Sequence, residues 1–185
     1  MKSDWAKTLT ITFLVLLAAF SRLAPHPSNF TAIGALAIFA AAIIPNKFLS
    51  SLLPLAAMWL SDLAMNNLVY REYYPSFVWF SPGFFWIYAG VFAHNISAWF
   101  TIKKVNITSV SGTSVLGATF FFILSNFGVW LGSGRYPTTS EGLLRCYVAA
   151  LPFFGNMLVS NLFFCTLLFG AHYFLERKIK VLETA

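Results

Sequence analysis

Three polar side chains that could bind a small molecule lie close together in the segment RLAPHPSNF, at residues 22–30. Arg22 and His26 carry hydrogen-bond donors, and Asn29 offers both a donor and an acceptor. Two prolines hold this stretch extended, so we expect a helix to end before it and Asn29 to cap the helix that follows. The segment is either a mouth that contacts a ligand or a rigid elbow that joins two helices.

Asp62 is a second group of interest, because it interrupts the apolar run MWLSDLAMNN. A carboxylate inside a membrane segment costs about 3 kcal/mol unless it is paired or in contact with water. We therefore expect Asp62 to face the protein interior, where Arg22 or Arg71 could pair with it. A structural ion pair and a ligand contact both fit that placement.

Further aromatic and polar side chains complete a candidate binding site. Apolar area supplies affinity for a small organic molecule, and a few fixed polar groups orient it. The alternatives are an interfacial belt for the tyrosines and arginines, and hydrogen bonds between helices for the asparagines, for Asn161 and for His94 with Asn95. The predicted ligand-binding residues are Arg22, His26, Asn29, Phe30, Asp62, Arg71, Tyr74, Asn126 and Asn156.

The sequence contains no pattern for catalysis, a metal or a cofactor. It shows no nucleophile near a base, no paired acidic motif, no zinc spacing and no glycine-rich phosphate loop. We therefore expect a protein that is not an enzyme and that uses neither metal nor cofactor. The basic residues stand at the ends of apolar segments and form no patch for nucleic acid.

Composition defines the class of protein. Of the 185 residues, 58% are hydrophobic and only 10% are charged, whereas soluble domains carry roughly 25% charged residues. The chain is therefore predicted to be an all-α integral membrane protein in contact with lipid, with residues 1–185 forming a single transmembrane helical domain.

Apolar runs bounded by charge, proline or glycine predict a bundle of six transmembrane helices. The second run is short for a bilayer core of about 30 Å. The segment between the fifth and sixth runs is expected to lie along the membrane surface or to dip into the bundle. The predicted spans are residues 7–23, 29–44, 48–67, 80–101, 112–132 and 152–175.

The basic residues predict the orientation in the membrane. With the amino terminus inside, eight of the 12 lysines and arginines fall on the cytoplasmic side and four on the outer side. This excess predicts that both termini are cytoplasmic. The three outward connections then carry most of the polar side chains, among them residues 22–30.

Ala37 and Ala41 form a small-xxx-small pair in the second span. Such a pair lets another helix approach closely. The pair is expected either to pack inside the bundle or to dock onto another membrane subunit.

The segment RLAPHPSNFTAIGALAIFAAA, followed by an apolar span that carries an aspartate, resembles a family of small bacterial inner-membrane proteins described as transport proteins. That family is similar to the substrate-binding S components of energy-coupling-factor (ECF) vitamin transporters. The resemblance implies a six-helix bundle that binds a vitamin-like solute near its outer face, enclosed by the links between spans one and two, three and four, and five and six. The matching positions are Arg22, Pro25, His26, Pro27, Asn29, Phe30 and Asp62.

S components also dock onto a shared coupling module through alanines of their first helix. The first span here has Ala18 and Ala19 but no alanine pair at four-residue spacing. Either Ala37 and Ala41 serve instead, or the protein works without an ECF-type coupling module, as a cobalamin-type S component does. A corrinoid is therefore one candidate solute.

The expected function is binding of a vitamin-like solute at the outer face and its movement across the bacterial inner membrane. One alternative is a structural or assembly subunit of a larger membrane complex. The other is a membrane-embedded enzyme that modifies a lipid.

Overall fold

The computed structural model describes residues 15–16 and 20–183, with side chains as far as Arg177. This part of the chain forms five α-helices and contains no β-strand. The prediction of an all-helical protein is therefore confirmed. The helices are α1 (Ile33–Ile43), α2 (Lys47–Ala64), α3 (Phe84–Thr101), α4 (Ile107–Gly132) and α5 (Ser140–Glu183).

Three stretches are long and apolar enough to cross a membrane: Lys47–Val69, Ile107–Gly132 and Ser140–Arg177. The first of these includes a short π-helix, Met65–Val69, that continues α2. They correspond to the third, fifth and sixth predicted spans, and their length and composition support the prediction of a membrane protein.

The other three predicted spans do not reach that standard in the described residues. Helix α1 has only 11 residues and is about 16 Å long, half of a bilayer core. Helix α3 is long enough with 18 residues, but it is not among the helices that are apolar enough to cross a membrane. Its buried face carries the polar residues His94 and Asn95. Most of the first predicted span, residues 7–23, lies outside the described residues.

Helix α1 lies in the centre of the bundle. It contacts each of the other four helices, and its residues from Ala35 to Ala40 have almost no exposed surface. A helix that is apolar on all sides is stable only when it is surrounded, which explains why α1 shows no polar face.

The burial of α1 corrects the docking hypothesis for Ala37 and Ala41. Ala37 is fully buried and its carbonyl accepts a hydrogen bond of 3.0 Å from Asn95 Nδ2 of α3. The same amide donates to Ser50 O of α2 at 2.9 Å. Ala41 is half-buried and packs against the same core. The pair therefore joins helices within this chain and is not presented to a separate subunit.

The fifth predicted span begins earlier than expected because of a helix cap. Asn106 accepts a hydrogen bond from the backbone N–H of Ser109 at 2.9 Å, and the Ser109 hydroxyl accepts one from the backbone N–H of Asn106 at 3.2 Å. This reciprocal pair starts α4 at Ile107. The polar residues that follow donate to carbonyls one turn earlier, as Thr113 does to Ser109 O at 2.7 Å, so they do not interrupt the helix.

The segment before residue 152, which was expected to lie along the membrane surface or to dip into the bundle, is largely the first part of α5. This helix begins at Ser140 and continues through Pro152 without a break. Membrane helices tolerate an internal proline when surrounding groups satisfy the carbonyl that it leaves free. The predicted start of the sixth span at residue 152 is therefore wrong by about three turns.

The connections of three, five and seven residues that follow α1, α3 and α4 place those helices antiparallel to the next one. The second connection is longer, but Asp62 near the end of α2 accepts a hydrogen bond from Tyr88 near the start of α3. As a result α1, α3 and α5 begin at the same end of the bundle where α2 and α4 finish. The connections at that end are residues 20–32, 65–83 and 133–139, which are the three links that the sequence analysis grouped on one face.

Candidate functional site

A cavity of about 590 Å³ lies at the end of the bundle that carries these three connections. On α3 its wall is formed by Phe84, Ile87, Val91 and His94, which recur every three or four residues and so share one helix face. The first and last of them are ten positions apart, which corresponds to a depth of about 15 Å. The cavity therefore reaches from the mouth near the start of α3 to the middle of the bundle.

Five of the nine predicted ligand-binding residues line this cavity. They come from the first connection and from α2 and α4, which are distant in sequence. The five are Arg22, His26, Asn29, Asp62 and Asn126.

Arg22 and Asp62 form an ion pair at the cavity wall. Nη1 of Arg22 lies 2.6 Å from Oδ1 of Asp62 and also donates to the Ser61 hydroxyl at 2.7 Å. The second carboxylate oxygen of Asp62 accepts a hydrogen bond of 3.0 Å from the Tyr88 hydroxyl of α3. Both oxygens of Asp62 are thus engaged, and the predicted pairing with Arg22 is confirmed.

Both ring nitrogens of His26 lie near backbone carbonyl oxygens of the first connection, to which His26 itself belongs. Nδ1 of its ring lies 2.9 Å from Pro27 O, and Nε2 lies 3.3 Å from Arg22 O. A carbonyl oxygen only accepts, so a neutral ring donates to one of these atoms and not to both. The ring is exposed at the cavity mouth while it braces the bend between the two prolines.

Asn29 does not cap the next helix, contrary to expectation. The residue before α1 is Ala32, and no side chain caps that helix. Asn29 instead has a φ of 61°, in the left-handed region, within a turn closed by a hydrogen bond of 3.0 Å from Phe30 N to Pro27 O. Asparagine adopts this conformation more readily than most residues, which explains its position in the turn.

Phe30 and Asn156 hold the first connection against α5 and do not line the cavity. The ring of Phe30 lies 6.1 Å from that of Phe163 and 5.8 Å from that of Phe164. Asn156 Nδ2 donates to Ser28 O at 3.0 Å. These contacts are structural links between the connection and α5.

Arg71 and Tyr74 also lie outside the cavity. Arg71 is exposed at the start of a short 3-10 helix, Arg71–Tyr73, and Tyr74 follows it. Tyr70, which directly precedes Arg71, lines the cavity instead.

Asn126 lines the cavity, but its side chain does not bridge helices. Its Nδ2 donates to Phe122 O of the same helix at 2.8 Å. The backbone carbonyl of Asn126 accepts a hydrogen bond from the Cys146 thiol at 3.5 Å, so α4 and α5 are joined here by a backbone acceptor.

The inner end of the cavity is formed by a buried polar pair. His94 Nδ1 lies 3.0 Å from Gly90 O, and His94 Nε2 lies 3.1 Å from Asn161 Nδ2 of α5. The glycine carbonyl can only accept, so in the neutral ring Nδ1 carries the proton and Nε2 accepts from Asn161. The prediction of an interhelical hydrogen bond is confirmed for Asn161 and His94.

Two glycines make room for this pair. A Cβ atom at Gly34 of α1 would overlap Asn161 Oδ1 and would lie 2.9 Å from His94 Nε2. A Cβ atom at Gly117 of α4 would lie 2.6 Å from His94 Cδ2. Four helices therefore meet around one imidazole, and the absence of two side chains permits it.

Several lining residues were absent from the predicted set. Asn66 follows Asp62 by four positions, so helical spacing could have placed both on one face. Its Nδ2 donates to Ser81 Oγ at 2.8 Å, which ties the beginning of the second connection to its end. The lining residues that were not predicted include Asn66, Tyr70, Ser81, His94, Ser125, Arg135, Tyr136 and Asn161.

The part of the chain that the structure describes contains no cluster of three His, Cys, Asp or Glu side chains that could hold a metal ion. The lining residues supply hydrogen-bonding groups, charged groups and apolar surface.

The chain belongs to the family of unknown function DUF6580, whose family model matches residues 2–182. Neither the curated proteins nor the solved structures contain a match to this chain.

Proposed function

We propose that this protein binds a small organic solute in the cavity and carries it across the bacterial inner membrane, as S components of ECF transporters do for vitamins. The observation that supports this function is the cavity itself. It combines aromatic and aliphatic walls with a few polar groups that are held in place by bonds to other residues. That combination is what recognition of a small organic molecule requires.

The size of the cavity favours a compact solute. Ligand cavities for drug-sized molecules measure roughly 300–1,000 Å³, and this one measures about 590 Å³. A vitamin-like molecule with one or two rings suits this volume better than a corrinoid. We therefore propose the smaller class of solute.

We propose no chemical conversion of the solute. Asp62 is the only carboxylate among the lining residues, and both of its oxygens already accept hydrogen bonds from Arg22 and Tyr88. The lipid-modifying enzyme is therefore the weaker alternative.

In the proposed membrane arrangement residues 7–23 supply a further span and both termini are cytoplasmic. The cavity then opens toward the outer side, where the solute enters. The energy source would be an ECF-type coupling module or another membrane subunit. Because Ala37 and Ala41 face the protein's own helices, such a partner would dock on a different surface.

The proposal is tested by recovering the solute. The full chain is purified from its native membrane in mild detergent, and small molecules released on denaturation are identified by mass spectrometry. Ser125 lines the cavity, whereas Ser133 is exposed outside it. We expect the wild-type protein and a Ser133→Trp control to retain the solute, and Ser125→Trp, which fills the cavity with an indole, to lose it.

Recovery of phospholipid alone, or equal retention by both tryptophan variants, would contradict solute binding in this cavity. An assembly subunit would instead co-purify with a partner and lose stability without it. Uptake of the recovered solute by proteoliposomes, measured with and without the candidate partner, then tests transport.

A further inference from the structure

We infer that the solute is an organic acid whose carboxylate binds at the cavity mouth to the guanidinium groups of Arg22 and Arg135. This inference rests on the proposed function and specifies the chemical class of the solute. It follows from which charged groups line the cavity and from which of their atoms are already engaged.

The positive and negative charges of the lining residues do not cancel. The charged residues are Arg22, Arg135 and Asp62, so two positive side chains accompany one negative side chain. Asp62 is buried, and its oxygens are occupied by Arg22 Nη1 and the Tyr88 hydroxyl. A cationic solute would therefore meet a carboxylate whose charge is already paired with Arg22, together with an excess of positive charge.

The guanidinium of Arg22 has donors available for a second anion. Only its Nη1 atom makes hydrogen bonds within the described part of the chain, to Asp62, Ser61 and the carbonyl of Met58. The other edge of the guanidinium is formed by Nε and Nη2, and neither atom makes a hydrogen bond with the described residues. A guanidinium fixed on one side presents a planar pair of donors on the other, the geometry that matches a carboxylate.

Arg135 supplies the charge that remains unbalanced. Its side chain lines the mouth, and none of the hydrogen bonds or ion pairs of the described residues involves its guanidinium. The nearest acidic residue in sequence, Glu141, is paired with Arg145 at 2.6 Å. A carboxylate at the mouth would therefore neutralise a cation that has no counterion among the described residues.

The test compares acids with their neutral amides, which have nearly the same shape. Thermal unfolding of the purified full chain is measured in mild detergent with nicotinate and nicotinamide, biotin and biotinamide, 4-aminobenzoate and 4-aminobenzamide, and with thiamine as a cation. We expect at least one acid to raise the Tm and to bind about tenfold or more tightly than its amide, the effect of a hydrogen bond to a charged group.

The same titration in variants assigns the site. Arg135→Gln should weaken binding of the acid about tenfold without changing the Tm of the unliganded protein, because its side chain is exposed and makes no recorded bond. Arg145→Gln is the matched control, since Arg145 lies at the same end of the bundle but outside the lining. Arg135→Lys should retain part of the binding.

The outcomes separate the inference from the proposed function. If an amide or thiamine binds as tightly as the acids, or if the solute recovered from the native membrane has no acidic group, the solute is not an acid but solute binding stands. If no compound binds and no solute is recovered, the proposed function itself fails. Equal affinity of the acid for Arg135→Gln and Arg145→Gln would remove Arg135 from the site.

Discussion

Nδ2 of Asn161 lies 3.1 Å from Nε2 of His94, and this bond joins α5 to α3 at the inner end of the cavity. Both residues have only 1% of their surface exposed. The bond therefore serves two purposes, because it satisfies polar groups inside the bundle and defines how deep a solute can enter.

Loss of this bond should destabilise the protein. His94→Leu leaves the Asn161 amide without its strongest acceptor, and polar contacts between membrane helices contribute about 0.6 to 1.7 kcal/mol. We expect a clearly lower Tm in detergent for this variant. The same substitution at His26, which is exposed, should change the Tm much less, and equal losses at both positions would show that the pair has no special role.

The close approach of four helices around His94 should make Gly117 intolerant of a side chain. Gly117→Ala brings a Cβ within 2.6 Å of the imidazole, and forcing extra volume into a packed interior costs about 1–3 kcal/mol. Gly155 has no atom within 4 Å of an added Cβ, so Gly155→Ala should leave the protein as stable or make it slightly more stable. Thermal unfolding of the two variants side by side measures the difference, and an unchanged Tm for Gly117→Ala would contradict the packing described.

The Arg22–Asp62 ion pair should matter because it is mostly buried. The two side chains are 17% and 11% exposed, and removal of one partner leaves an uncompensated charge that costs about 3 kcal/mol. We expect each of the single variants Arg22→Met and Asp62→Leu to lower stability strongly and the double variant Arg22→Met, Asp62→Leu to recover part of the loss. A double-mutant cycle on the free energy of unfolding gives the coupling between the two residues.

The exposed pair of Glu141 and Arg145 is the control for that cycle. Its N···O distance is also 2.6 Å, but the side chains are 71% and 68% exposed. Exposed pairs contribute about 0–1 kcal/mol, so their coupling should be small. A coupling as large as that of Arg22 and Asp62 would mean that burial does not determine the strength of these pairs.

Asn29 can be tested for a role in the elbow separately from a role in binding. Its φ of 61° suits glycine and costs a residue such as alanine about 1–2 kcal/mol. Asn29→Gly should therefore keep the stability of the protein, while Asn29→Ala should lower it. Affinity for the recovered solute then decides the role: Asn29→Gly loses affinity if the side chain contacts the solute, and retains it if the residue only shapes the turn.

The class of protein was readable from the sequence, and so were the groups at the mouth. An apolar chain with few charges has to satisfy its backbone with helices inside a membrane. A buried aspartate needs a partner, which is why the Arg22–Asp62 pair could be anticipated. The two prolines around His26 likewise indicated a bend, because proline restricts both its own backbone and that of its predecessor.

Helix limits and the use of α1 were decided by tertiary contacts. The apolar run at residues 29–44 could equally belong to a membrane span or to a core helix, because apolar residues suit lipid and protein interior alike. Only the four neighbours of Ile33–Ile43 show that it is a core helix. Their contacts also turned Ala37 inward.

The depth of the cavity could likewise not be predicted from the sequence. His94 and Asn161 are 67 residues apart, and neither stands in a recognisable motif. They meet because Gly34 and Gly117 allow α1 and α4 to approach closely enough. The sequence by itself determined a helical membrane protein with a polar mouth; the three-dimensional packing decided that the mouth leads into a cavity closed by an imidazole and a carboxamide.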